Sequence, residues 1–183
     1  MDSQDLIEST LRWLDGWVIR NDLCPFAAAV RKHTRVKVCA HEDEIALIET
    51  ELRLLRDIDP MQPATTLILF PQRKSFEALM ELQGMAEAVA DTEAEAPVQV
   101  LAFHPHAMYS DNLDAADWST RSPWPLLHLL RDNDVDRAEA RWVAQHKPGI
   151  APSIQERNQA WLRGRGYNEC ATEAAAAAGV KPW

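Results

Sequence analysis

No apolar run in this chain approaches the roughly 18 residues that a membrane-spanning helix needs. The opening residues, Met1-Asp2-Ser3-Gln4-Asp5, lack the basic start and apolar stretch of a secretory signal. A membrane partner is therefore excluded, and a cytoplasmic address is expected. Basic charge is also short. With 19 Lys and Arg against 28 Asp and Glu, the formal net charge of -9 repels a phosphate backbone, so nucleic acid is not an expected partner. The three cysteines, Cys24, Cys39 and Cys170, are too few and too widely spaced for a disulfide framework and form no CxxC metal knuckle. No glycine-rich phosphate loop points to a nucleotide. What is present is ordinary for a globular protein: 46% hydrophobic and 26% charged residues in 183 positions, enough for one core of useful size.

Hydrophobic spacing supplies the architecture. Ile7, Leu11, Leu14 and Val18 recur at helical intervals and predict an amphipathic helix from Asp5 to Arg20. Arg35 to Cys39 alternates like a half-buried strand. Ile45, Ile48, Leu52 and Leu55 then mark a helix from Glu42 to Asp59, closed by Pro60 and Pro63. Thr65 to Phe70 is a continuous β-prone run of the kind buried on both faces of a sheet. A helix capped by Ser75 runs to Asp91, and Val98 to Phe103 is a third strand. Two successive β-α-β units predict an α/β fold with a small, mainly parallel sheet of three or four strands covered by helices. Beyond an irregular stretch, further helices are expected at Trp124 to Arg131, Asp134 to Val143 and Ser153 to Arg163, giving a helical C-terminal part. Residues 1–167 read as a single α/β domain. The Ala-rich residues 168–183, helix-prone but without amphipathic pattern, read as a weakly ordered tail.

Two segments draw attention as chemistry. The third strand delivers His104-Pro105-His106 at its carboxyl end, where open α/β sheets place ligands. Two imidazoles there suit proton transfer or a metal; the plain alternative is one buried and one surface histidine. The second segment is Arg121-Ser122-Pro123. Proline after hydroxyl residues predicts a helix start whose free amides favour an anion, and the Arg121 guanidinium beside it matches carboxylate, phosphate or sulfate. The plain alternative pairs Arg121 with Asp111, Asp114 or Asp117. Arg131 closes the same expected helix, and Arg157-Asn158 is assigned to the same pocket. His128, among four leucines, reads as a core histidine that can support the site from behind. Cys24, after the first helix, is a candidate nucleophile or simply a packed thiol. Of the seven tryptophans, Trp13 and Trp17 lie one turn apart and read as core or interface.

Taken together, Trp13 through Ile19, Asn21 through Phe26, Phe103-His104-Pro105, Arg121 through Arg131 and Glu156-Arg157-Asn158 resemble the bacterial DUF1415 family. The resemblance extends to about Arg163 and implies no particular reaction. The chain looks like a divergent member: His106 stands where an acidic residue is expected after His-Pro, and Ser119-Thr120-Arg121 where relatives tend to have Thr-Asn-Arg.

The functional expectation is an enzyme acting on an anionic small molecule by elimination, cyclisation or group transfer with phosphate or sulfate leaving. Arg121, Ser122, Arg131, Arg157 and Asn158 would bind the anion, and His104, with Cys24 and His106 assisting, would move protons. No cofactor is expected. The alternatives are a metal site at His104 and His106, with Cys24 or His128 as a further ligand, and a non-catalytic subunit of a hetero-complex; homo- or hetero-oligomerisation stays open.

Overall fold

Asp2 and Asp5 exchange amide-to-carboxylate hydrogen bonds, 2.8 and 3.2 Å long, and this capping box satisfies the first free amides of α1 (Ser3–Trp13). In the computed structural model, which describes residues 2–40, 43–92, 96–109, 112–145 and 153–183, the helix does not end at Trp13. It widens into a π-helical turn, Leu14–Ile19, so the single expected helix is two segments of different pitch. After the short α2 (Pro25–Val30) come β1 (Thr34–Val38), α3 (Glu44–Arg56), β2 (Thr65–Leu69), α4 (Phe76–Ala90) and β3 (Val98–Phe103). These match the sequence pattern within a few residues, apart from Glu42, which lies outside the described residues. Ser75 caps α4 as expected, accepting the Ala78 amide at 3.2 Å.

The main departure follows β3. Residues 124–131, expected as a helix, contain β4 (Leu126–Arg131), which pairs antiparallel with both β2 and β3 in the sheet order β1-β2-β4-β3. An apolar run satisfies a buried helix or a strand buried on both faces equally well. Here β2 and β3 each present an open edge, and the backbone of Leu-Leu-His-Leu-Leu-Arg bridges them. The α/β class, the four strands and the helical cover therefore hold, but the mainly parallel pairing does not. β1, β2 and β3 run in one direction, as β-α-β units require, and β1 pairs parallel with β2. The inserted β4 makes the other two pairs antiparallel.

α5 (Asp132–Gln145), α6 (Ile154–Arg165) and α7 (Tyr167–Ala178) complete the chain. The weakly ordered tail expected at 168–183 is corrected by α7, which buries Cys170, Ala174, Ala175 and Ala178. An all-alanine surface shows no periodic contrast in sequence, yet small side chains permit close approach. A Cβ placed on Gly16 would come to 3.0 Å from the Ala177 Cβ, so the π-helical turn and α7 meet almost backbone to backbone.

The two faces of the sheet are covered differently. One packs Ile68, Val98, Val100, Ala102, Leu127 and Leu129 against Ile48, Leu52 and Leu55 of α3 and Leu79, Leu82 and Ala86 of α4, all buried. The other presents Thr65, Leu67, Leu101, Phe103, Leu126, His128 and Leu130 to α1, the π-helical turn and α2, with a space between.

Candidate functional site

At the end of β3, His104 is 1% exposed and both ring nitrogens are engaged. Nδ1 accepts the His106 amide at 3.0 Å, so the proton sits on Nε2, which donates to the Arg73 carbonyl at 3.3 Å. Burial pushes this imidazole below its ordinary value; the Arg73 carbonyl opposes the shift, while His106 and Arg121 add to it. His104 is a neutral ring that ties the turn after β3 to the loop before α4, with no lone pair left for a metal. His106 is exposed, with ring centres 5.6 Å apart. Among the described residues no group of three or more His, Cys, Asp or Glu side chains is arranged to hold a metal ion.

Arg121 lies beside this turn, 4% exposed. Its Nε donates to the Ala107 carbonyl at 2.9 Å and one terminal nitrogen donates to the Tyr167 hydroxyl. The guanidinium carbon sits 5.2 Å from the Trp118 ring centre and 5.0 Å from that of Tyr167. Of its expected acidic partners, Asp114 is taken by Arg163, Asp117 accepts the Tyr109 amide, and Asp111 lies outside the described residues. Because β4 replaces the expected helix, there is no helix start at Pro123 to bind an anion; Ser122 Oγ donates instead to the Trp124 carbonyl at 2.6 Å. Arg131, at the far end of β4, pairs with buried Asp134 at 2.7 Å and donates to the carbonyls of Ile58, Asp59 and Gln62. Phe103 is opposite Leu126 and Val98 opposite Arg131, so the two arginines are separated by the length of the strand. The structure thus brings His104, His106 and Arg121 together, and leaves Arg131 elsewhere as a brace.

A different group of residues meets on the loosely covered face. A cavity of about 270 Å³ is lined by the aromatics Trp13, Trp17, Phe26, Phe103 and Trp118, by aliphatic side chains, and by the polar groups of Cys24, Thr34, Thr65, Ser119, Thr120 and His128. Among the described residues no Asp, Glu, Lys or Arg lines it. Two lining residues, Leu101 on β3 and Ser119 on the loop before β4, are exposed, so the lining reaches solvent. On β4, His128 stands between Leu67 and Leu101 of the neighbouring strands. Its Nε2 lies 2.8 Å from Thr65 Oγ1, which also lies 2.7 Å from the Leu129 carbonyl. Burial pushes His128 down to about 4, so the ring is neutral at physiological pH.

Cys24 reaches the same cavity from the start of α2. Burial pushes its thiol up; the Ala27 and Phe26 amides pull against that, and Asp22 adds to it. At neutral pH it is a thiol and not a thiolate nucleophile. The segment leading to it is firmly held. Asp22 has a φ of +52°, a left-handed conformation costly for a non-glycine residue. Arg157 donates to the Asp22 carbonyl, and buried Asn158 donates from Nδ2 to the Leu23 carbonyl at 2.6 Å. Arg157 and Asn158, expected at an anion pocket, therefore clamp the cavity wall that carries Cys24.

Sequence reasoning named Cys24 and His128 but did not join them, and it missed Thr65. The alternation of β4 places His128 on the face shared by Leu126 and Leu130, a signal visible only when the segment is read as a strand. The π-helical turn that supplies Trp17 and Val18 to the lining left no pattern distinct from an α-helix. Among the described residues no helix is long and apolar enough to cross a membrane. A family model described as "Protein of unknown function (DUF1415)" matches residues 5–172, nine residues beyond the point where the sequence resemblance ended. No curated protein and no solved structure matches the chain.

Proposed function

We propose, for a chain that belongs to the DUF1415 family and takes no assigned activity from it, that the working site is the cavity between the sheet and the π-helical turn. Its function is to bind a compact, mainly apolar small molecule. The observation that carries this reading is the chamber itself: about 270 Å³, aromatic-walled and with exposed residues in its lining. A dry cavity of about 150 Å³ already admits benzene, so this one has room for a ring with substituents. Apolar walls with a few placed polar atoms are the usual composition of small-molecule sites.

The surroundings favour a site over a packing defect. A π-helical turn, a left-handed Asp22 and the Arg157-Asn158 clamp converge on one wall, and such costly local features persist where the fold over-determines them. The polar groups suit recognition more than nucleophilic chemistry, since His128 is a weak base and Cys24 a protonated thiol. An anion-handling enzyme built on His104 and Arg121 has less support: the ring has no free nitrogen, and the guanidinium is packed against two aromatic rings. A metal at His104 and His106 meets the same objection. Trp13 and Trp17, which suggested a partner surface, are 4% and 1% exposed and belong to the cavity walls.

Calorimetric titration with toluene tests this reading. The wild type is expected to bind it saturably, and Ala27→Phe, which projects a ring from α2 into the chamber, is expected to abolish binding while circular dichroism stays native. Undiminished binding by Ala27→Phe would place the ligand elsewhere and end the proposal.

A further inference from the structure

The hydroxyl of Thr65 has one proton and two neighbours within hydrogen-bond distance. The Leu129 carbonyl can only accept, so Thr65 donates to it, and the remaining bond must run from His128 Nε2–H to Thr65 Oγ1. This fixes the neutral tautomer of His128 and leaves Nδ1 as a bare lone pair. Among the described residues that nitrogen has no hydrogen-bond partner. The indole nitrogens of Trp13, Trp17 and Trp118 are buried in the walls without acceptors. His128 lines the cavity, and among the described residues none of the other lining side chains is an acid or a cation.

From this, and resting on the cavity being the working site, we infer that the ligand is an uncharged, ring-sized molecule with one O–H or N–H donor, held by that donor against His128 Nδ1. A phenol or an N–H heteroaromatic has this chemistry. The selectivity comes from two directions. A ligand without a donor leaves the lone pair desolvated and unpaired when it displaces water from the chamber. A carboxylate or ammonium would meet no counter-charge among the described lining residues and is rejected by its own desolvation. Thr65 is the positioning residue: its hydrogen bond sets which imidazole nitrogen is free to accept.

Phenol and toluene have nearly the same shape and differ in a hydroxyl against a methyl, so their affinity ratio isolates the donor. Calorimetric titration of the wild type with phenol, toluene and benzoate is expected to show phenol bound roughly three- to tenfold more tightly than toluene, with benzoate not bound. In His128→Phe the preference for phenol should vanish while toluene still binds. In Thr65→Val, where the tautomer is no longer imposed, the phenol-to-toluene ratio should shrink, and this gentler variant serves if His128→Phe does not fold. Equal affinity of the wild type for phenol and toluene, or a preference that survives in His128→Phe, would overturn the inference and leave the cavity reading standing. If neither compound binds, the cavity reading itself falls.

Discussion

The two faces of the sheet use the same kinds of side chain and reach different densities. On the face under α3 and α4, two regular helices of 13 and 15 residues bring Ile48, Leu52, Leu55, Leu79 and Leu82 into contact with the strands, each no more than 1% exposed. On the other, the cover is broken into an 11-residue helix, a π-helical turn and a six-residue helix, and about 270 Å³ stays open beneath it. Close packing is the default of protein interiors, and empty volume costs about 24 cal/mol per Å³. A chamber of this size therefore forgoes stability on the order of several kcal/mol. The packed face therefore contributes more to the stability of the fold, and the hollow face forgoes part of what close packing would supply.

The largest expected effect follows directly. Leu82→Ala on the packed face should cost about 2 to 5 kcal/mol by urea unfolding, whereas Leu101→Ala, at the partly exposed rim of the cavity, should cost less than about 1 kcal/mol. Equal losses would break the comparison.

Next in size is a pH effect confined to the hollow face. His128 sits near 4 in the fold, against about 6.5 when free, so the unfolded chain takes up a proton that the folded one refuses. Stability from this group is complete above about pH 6.5 and is lost as pH falls towards 4. Between about pH 7 and about pH 4.5, the wild type should lose about 2 to 3 kcal/mol more than His128→Phe does. Parallel losses in the two proteins would show that His128 is not held neutral by its surroundings.

The smallest effect sharpens the contrast from the opposite direction. Ala86→Leu inserts volume where none is free and should cost about 1 to 3 kcal/mol, while Ala27→Leu inserts it beside the cavity and should stay within about 0.5 kcal/mol of wild type, read as thermal midpoints. A large loss in Ala27→Leu would mean that the space is not available to a side chain.

The packed face was nearly all legible beforehand. The stripe Ile48, Leu52 and Leu55, the Ser75 cap and the runs at Thr65 and Val98 are local patterns, and the elements they predict lie within a few residues of those observed. The hollow face was legible only in fragments. Cys24, His128, Arg157 and Asn158 each stood out by type, but two were assigned to the wrong partner. His128 was placed on a helix, which rotates its side chain by 100° per residue instead of alternating it across a sheet. Asn158 reaches the Leu23 carbonyl across 135 positions, and no spacing rule connects them.

The sequence by itself determined the α/β class, the common direction of β1, β2 and β3, the helices between them and membership of the family, because periodicity, capping and turn residues act over a few positions. Tertiary structure decided what Leu126 to Arg131 would become and where the site would lie. The apolar run is compatible with either backbone, and the choice was made by the open edges of β2 and β3. Once β4 filled that gap, His128 came within 2.8 Å of Thr65, 63 positions away, and both residues came to line a space that no local rule describes.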